Sequence, residues 1–308
     1  MPGRDAIRRH WIVALALALV AVAAAAPSLA TAKSKQVKTN RAVADAAWGD
    51  NVTLSVDKKS FRFQSNGKPN HPVADQYLMP DPFTSCNVTA ESSCMHIEPA
   101  SQAIQAWPLD ITVPTRPKKV KDKLYLKAGP VGVMISGSLV YNPFEGDGKT
   151  IAMASNFTLT NAQGQEIPFV DACSAHPAPH PLGNYHYHGL PACVTSQVDT
   201  DGGPSHIIGF AFDGFPIYGQ RDIDGKTVKP KELDRCNGIK SPTPEYPNGI
   251  YHYVMTDEAS VQSTIRCFHG KLKQPLALFR GDGPERSKLT ANAGPGQYCR
   301  FPGQLRSS

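Results

Sequence analysis

The sequence predicts a mainly β fold: an internally duplicated, pseudo-two-fold, β-rich domain of short strands with disulfide-stapled loops. Three observations predict it. The 27 prolines and 25 glycines among 308 residues break the chain too often for long helices and supply many turns. Several short runs alternate apolar and polar residues at period two, the side-chain spacing of a strand. A set of landmarks also recurs in one order over residues 132–193 and again over 209–267, the mark of a repeated structural unit.

Taken in order, residues 1–32 have the form of an export signal: Arg4, Arg8 and Arg9, an apolar run from Trp11 to Ala26, and the small-residue site Ala30-Thr31-Ala32. The apolar run is 16 residues long, short of the ~20 that a membrane span needs. No later run is long enough, so the expectation is an exported chain, periplasmic or extracellular, with no membrane span. Losing this leader removes three arginines and Asp5 and takes the net charge from +6 to +4. That balance gives no reason to expect a nucleic-acid partner. The basic group Lys118, Lys119, Lys121, Lys123 and Lys127 reads as a solvated strand or loop face.

Residues 33–48 read as a flexible linker, and 49–128 as an N-terminal β segment packing on the repeated domain. Val52, Leu54 and Val56, a turn at Asp57-Lys58-Lys59, then Phe61 and Phe63 predict a hairpin that ends at Asn66-Gly67. The loop that follows delivers His71. Cys86 and Cys94 suit a local disulfide; Met95 and His96 beside them offer a soft copper site as the alternative. Ile104 to Val113 alternates again, and Pro108, Pro114 and Pro117 mark it as an edge or connection.

The repeated domain spans 129–270, with a C-terminal extension over 271–308. Its first repeated stretch runs Gly132 to Tyr141 and aligns without gaps to Gly209 to Tyr218; both have glycines five apart and a closing tyrosine. Downstream, Asp171-x-Cys173 answers to Asp234-x-Cys236, Tyr185-His186-Tyr187 to Tyr251-His252-Tyr253, and Cys193 to Cys267. Equivalent cysteines should pair equivalently, which suggests Cys173 with Cys193 and Cys236 with Cys267. Pairing across the repeats, or Cys299 displacing one partner, stays open.

The chemistry concentrates at Tyr185-His186-Tyr187-His188. On a strand the two histidines share one face and the two tyrosines the other, so both imidazoles can reach one cation. Equally, the same residues serve as packed tyrosines and hydrogen-bonded histidines. Of the histidines only His186 and His252 occur in both copies; His176 and His188 fall at Ile239 and Val254. If the repeated strands meet at the two-fold axis, His186, His188 and His252 come together as ligands, with His71 or His176 as additions. Copper or zinc suits such a nitrogen-rich set better than calcium or magnesium.

With Tyr185-His186-Tyr187-His188, the block Ala211 to Gly219, the run Pro242 to Tyr253, and the early Ser65-Asn66-Gly67 with Pro69 and His71, the chain resembles the YHYH protein family from about residue 50 to about 270. The resemblance implies an exported protein and no particular activity. Family members often carry histidine where this chain has Ile239 and Val254, which argues against a symmetric two-site model and for either one site built mainly on the first copy or no metal at all. Three functions are therefore weighed: binding of a transition metal; a secreted hydrolase in which a histidine and Asp213 act as base and acid; and a surface module binding a glycan or another protein. For the last two, Tyr185, Tyr187, Asp213, Tyr218 and Tyr251 are the substrate-binding candidates.

Overall fold

The computed structural model describes residues 39–74, 86–88, 94–97, 104–154, 158–160, 166–168, 170–178 and 183–274. The expected leader, most of the C-terminal extension and Cys299 lie outside them. Helix α1 (Thr39–Ala44) leads into strands β1 (Val52–Val56) and β2 (Ser60–Ser65). Two short strands follow, β3 (Cys86–Val88) and β4 (Cys94–Ile97), then β5 (Leu109–Pro114) and β6 (Lys119–Tyr125). The first repeated stretch forms β7 (Pro130–Met134) and β8 (Leu139–Tyr141). It is followed by β9 (Thr158–Thr160), β10 (Glu166–Pro168), β11 (Ala175–Pro177), β12 (Tyr185–Tyr187) and the single helical turn α2 (Ala192–Thr195). The second forms β13 (Ile207–Ala211) and β14 (Pro216–Tyr218), then β15 (Gly238–Ser241), β16 (Ile250–Val254) and β17 (Cys267–Gly270). The mainly β expectation holds.

The core is an eight-stranded sheet ordered β11-β12-β8-β7-β13-β14-β16-β15. β7 and β13 are buried along their whole length, as strands covered on both faces must be, and both sequences are accordingly short on polar residues. They pair antiparallel at the centre, with Phe210 opposite Val133. From that pair outward the two halves read alike: β8 and β14 are antiparallel to their inner neighbours. β12 and β16 then join in parallel, and β11 and β15 close each edge antiparallel. Two copies of one unit would build this arrangement.

The paired glycines have separate reasons. A Cβ on Gly209 would run into the Val133 carbonyl, and one on Gly132 would lie 2.6 Å from the Phe210 carbonyl, so the first glycine of each copy lets the central strands approach. The second, Gly137 or Gly214, turns with φ of 95° or 89°, a region that side-chain-bearing residues rarely enter.

The predicted hairpin is β1–β2, with Leu54 opposite Phe63, and β5 completes a three-stranded sheet on the far side of β2. Its buried Phe61 and Phe63 meet Phe210 of the central sheet with ring centroids 5.9 Å apart. Such aromatic pairs add about 0.5–1.5 kcal/mol each beyond the area they bury. Trp48 caps the group, its ring 5.7 Å from Phe63 and 5.5 Å from Phe210. The flexible-linker expectation for 33–48 is therefore corrected over its second half. Val43 is fully buried and its carbonyl accepts the Trp48 indole N–H at 2.7 Å; the apolar side of one helical turn docks there despite the surrounding lysines.

β6 carries Lys119, Lys121 and Lys123 of the lysine group with little burial and pairs with β17, a solvated strand face. β3 and β4 hold Cys86 and Cys94 and join β9 and β10 in a four-stranded sheet, but the side chains of Cys86 and Cys94 lie outside the described residues. Disulfides join Cys173 to Cys193 and Cys236 to Cys267. They fit a protein outside the reducing cytoplasm. Among the described residues no helix is long and apolar enough to cross a membrane.

Candidate metal centre

Three of the five candidate ligands converge. In the antiparallel pair β11–β12, His176 lies directly opposite His186, and His188 follows on the same face by the period-two rule. Ring centroids stand 4.4 Å apart for His176 and His186, 4.9 Å for His186 and His188, and 5.1 Å for His176 and His188. One ring nitrogen from each lies within 4.8 Å of the others. All three are sealed, at 1%, 3% and 1% exposure.

The orientation of each ring is set by its main chain. His176 Nδ1 lies 2.9 Å from the Pro177 carbonyl, His186 Nδ1 2.9 Å from that of Asn184, and His188 Nδ1 2.8 Å from that of Asn142. A carbonyl can only accept, so each Nδ1 carries a proton, and Nε2 is the nitrogen left to offer a lone pair. Tyr141 stacks on His186 at 3.9 Å and fixes its plane.

Glu145 closes the cluster at 3% exposure. It is delivered by a tight turn after β8, in which Asp147 accepts the amides of Lys149 and Thr150 and Gly148 takes a positive φ. Glu145 Oε1 stands 3.5 Å from His176 Nε2 and 4.0 Å from His188 Nε2. Among the described residues neither Glu145 Oε1 nor His188 Nε2 has a partner in hydrogen-bonding geometry, an arrangement that costs about 1–3 kcal/mol per buried polar atom unless something else engages it.

The charges agree with a cation site. Burial, together with the neighbouring rings, drives the His186 imidazole well below its ordinary value. Burial likewise takes His188 down to about 4 against the pull of Glu145, so both are neutral at physiological pH. Burial alone would raise the Glu145 carboxyl, but the facing His176 and His188 rings outweigh it and hold it below the usual carboxylate range. A buried carboxylate facing three imidazoles that turn Nε2 inward has the donor set of a divalent-cation site, and the buried histidine triad could hold a metal ion.

His252 does not join it. The expectation that His186, His188 and His252 meet at the axis is corrected, because the strands at the axis are β7 and β13. β12 and β16 are separated by four strands, about 24 Å at ~4.8 Å per strand spacing. His252 instead packs on Tyr218 at 4.8 Å with Nδ1 3.1 Å from the Ile250 carbonyl, the counterpart of His186 on Tyr141. Ile239 and Val254 stand where the first half has His176 and His188, so this half lacks the other ligands.

His71 is also elsewhere. Its Nδ1–H donates to the Pro72 carbonyl at 2.7 Å, and its Nε2 accepts the Tyr187 hydroxyl at 2.6 Å, on the tyrosine face of β12. There it groups with Cys173 and Cys193, but the disulfide leaves those sulfurs no thiolate to offer a metal.

The candidate substrate-binding residues are corrected as well. Tyr185, Tyr187, Asp213 and Tyr218 are buried, because the central sheet is covered on both faces and the face opposite the histidines is core. Tyr185 donates to Asp171 at 2.7 Å. Asp213 accepts Tyr253 Oη–H at 2.6 Å and the Gly270 amide at 2.7 Å, so it orients no imidazole. Partly exposed Tyr251 donates to Asp234 and stacks on His269 at 3.5 Å.

Glu145 was missed from the sequence, although a signal existed. Four residues after the repeated tyrosine, Glu145 aligns with Asp222, and Asp147-Gly148 aligns with Asp224-Gly225. The isolated bridges Phe144–Ile151 and Arg221–Thr227 mark the same turn in both halves.

Residues 110–229 and 222–270 match the sequence profile of the YHYH protein family. No curated protein and no solved structure matches the chain. The profile takes in Tyr185 to His188, the repeated strands of the central sheet and every member of the histidine cluster, and over more than half its length the chain belongs to the YHYH protein family.

Proposed function

We propose that this protein binds one transition-metal ion, copper or zinc, through His176, His186, His188 and Glu145. The observation that carries the reading is the shared tautomer. Each Nδ1–H is held by a main-chain carbonyl, the outer arrangement that fixes and polarises metal-ligating imidazoles. Three nitrogens and one carboxylate oxygen suit zinc or copper(II). Tetrahedral zinc with ~2.0–2.1 Å bonds needs ligand atoms ~3.4 Å apart, so the 3.5 Å gap between Glu145 and His176 already fits, and wider gaps must contract on binding. Four protein ligands in a sealed site favour an ion that is kept, for structure or electron transfer, over one that opens to a substrate.

The test is metal content after equilibrium dialysis of the folded protein against zinc or copper(II) at neutral pH. About one equivalent is expected in the parent and in His252→Ala, and none in His188→Ala. Glu145→Gln keeps the shape and removes the charge of a direct ligand, and should weaken binding by at least the roughly 10–100-fold that loss of an outer-shell partner costs. Metal retained by His188→Ala, or absent from the parent, would overturn the assignment.

A further inference from the structure

The two disulfides occupy equivalent places in unlike surroundings. Cys236 and Cys267 are sealed, at 1% and 0% exposure, whereas Cys193 on α2 is only partly buried, beside a buried Cys173. His71 Nδ1 lies 3.8 Å from Cys173 Sγ, and among the described residues no imidazole makes the same contact with Cys236 or Cys267. The two bonds also enclose different things. The 20-residue span from Cys173 to Cys193 contains His176, His186 and His188, so this one bond closes the loop that carries all three imidazoles.

We propose that Cys173–Cys193 is a thiol-exchange site, reduced by a dithiol, and that opening it loosens the histidine loop; the consequence for a bound metal rests on the metal-binding reading above. A reductant thiolate attacks Cys193 Sγ, on the less buried of the two residues. The bond to Cys173 breaks as the mixed disulfide forms, and the electron pair leaves on Cys173 Sγ. That sulfur departs 3.8 Å from His71 Nδ1. The N–H there, held by the Pro72 carbonyl in the oxidised protein, turns to the leaving thiolate as its charge develops and so speeds exchange, before the thiolate takes a proton from solvent. The second thiol of the reductant then attacks the mixed disulfide, freeing the Cys193 thiol and carrying away the oxidised pair. Two electrons and two protons pass from the dithiol to the protein. The released loop is no longer tied at both ends, so β11 and β12 lose the constraint that sets His176 against His186.

The experiment exposes the folded, full-length protein to graded dithiothreitol without denaturant, traps free thiols with a maleimide, and assigns them by peptide mass. Cys173 and Cys193 should be labelled roughly tenfold or more faster than Cys236 and Cys267. His71→Ala should narrow that gap, and His71→Asn, which keeps an N–H donor, should restore part of it. Once the first bond opens, amide exchange over Tyr185–Tyr187 should rise, and bound zinc should fall. Equal labelling of the two pairs, or Cys236–Cys267 opening first, would overturn the exchange site. Opening with unchanged amide exchange would overturn the loosening. Zinc absent from the oxidised protein would defeat the metal reading and its release, while the labelling rates still decide the exchange site.

Discussion

At the scale of the residue, burial decides what each histidine can do. His188 and His252 are pushed down to about 4 by burial, and His186 lies well below its ordinary value. An unfolded histidine titrates near ~6.5. Between that value and about 4 the unfolded chain binds protons that the fold refuses, so these groups' stability is whole above ~6.5 and is lost as the pH falls. His188 and His252 each contribute a loss of roughly 2–3 kcal/mol by pH ~4, and His186 adds to it in the same direction. Asp213 works the other way: burial raises it to about 6, so acidification below 6 relieves a cost of roughly 3 kcal/mol. Three groups outweigh one. Urea denaturation in the presence of a chelator should give a clearly lower midpoint at pH 4.5 than at pH 7, and an unchanged or higher midpoint would contradict the burial of these imidazoles in neutral form.

At the scale of the element, the period-two reading of Tyr185 to His188 was legible because alternation on a strand needs no tertiary information. It put His186 and His188 on one face correctly. What covered the other face was not legible: Tyr185 and Tyr187 read equally as packed tyrosines and as substrate-binding candidates, and they lie against His71, at 5.9 Å for each ring pair. His176 came in through the antiparallel register of β11 on β12, which depends on a connection whose path the sequence does not dictate. His252 was misplaced because the repeat was recognised without knowing which strands meet. The glycine spacing held that clue, since Gly132 and Gly209 are where a backbone must come close. Gly209→Ala should therefore destabilise the fold by roughly 3 kcal/mol or more, because the added carbon meets the backbone carbonyl of Val133 rather than a movable side chain. Thermal unfolding checks this, and a midpoint within a degree of the parent would contradict the central β7–β13 pairing.

At the scale of the molecule, the same β scaffold appears on both sides of one antiparallel strand pair and is put to different use. Each half keeps a histidine packed on the repeated tyrosine, an acid-bearing Asp-Gly turn and a disulfide after an Asp-x-Cys turn. The first half adds His176 and His188 and buries Glu145, giving a donor set; the second has Ile239 and Val254 there. In place of Ser136, which hydrogen-bonds Tyr187 at 2.7 Å, it uses Asp213 to tie Tyr253 and Gly270 of β17. The disulfide scheme was legible from this parallel, since equivalent cysteines in equivalent turns have equivalent neighbours. The asymmetry in chemistry was legible only as a list of differing residues, and it took the sheet order to show that those differences fall on opposite sides of the molecule.

The most direct measurement of the central claim is an anomalous-scattering map from crystals of the protein equilibrated with zinc, collected at the zinc edge. A single strong peak among His176, His186, His188 and Glu145, with bonds of ~2.0–2.2 Å, is the predicted result. A loaded crystal with that cluster empty, or with the ion at His71 or His252 instead, would contradict it.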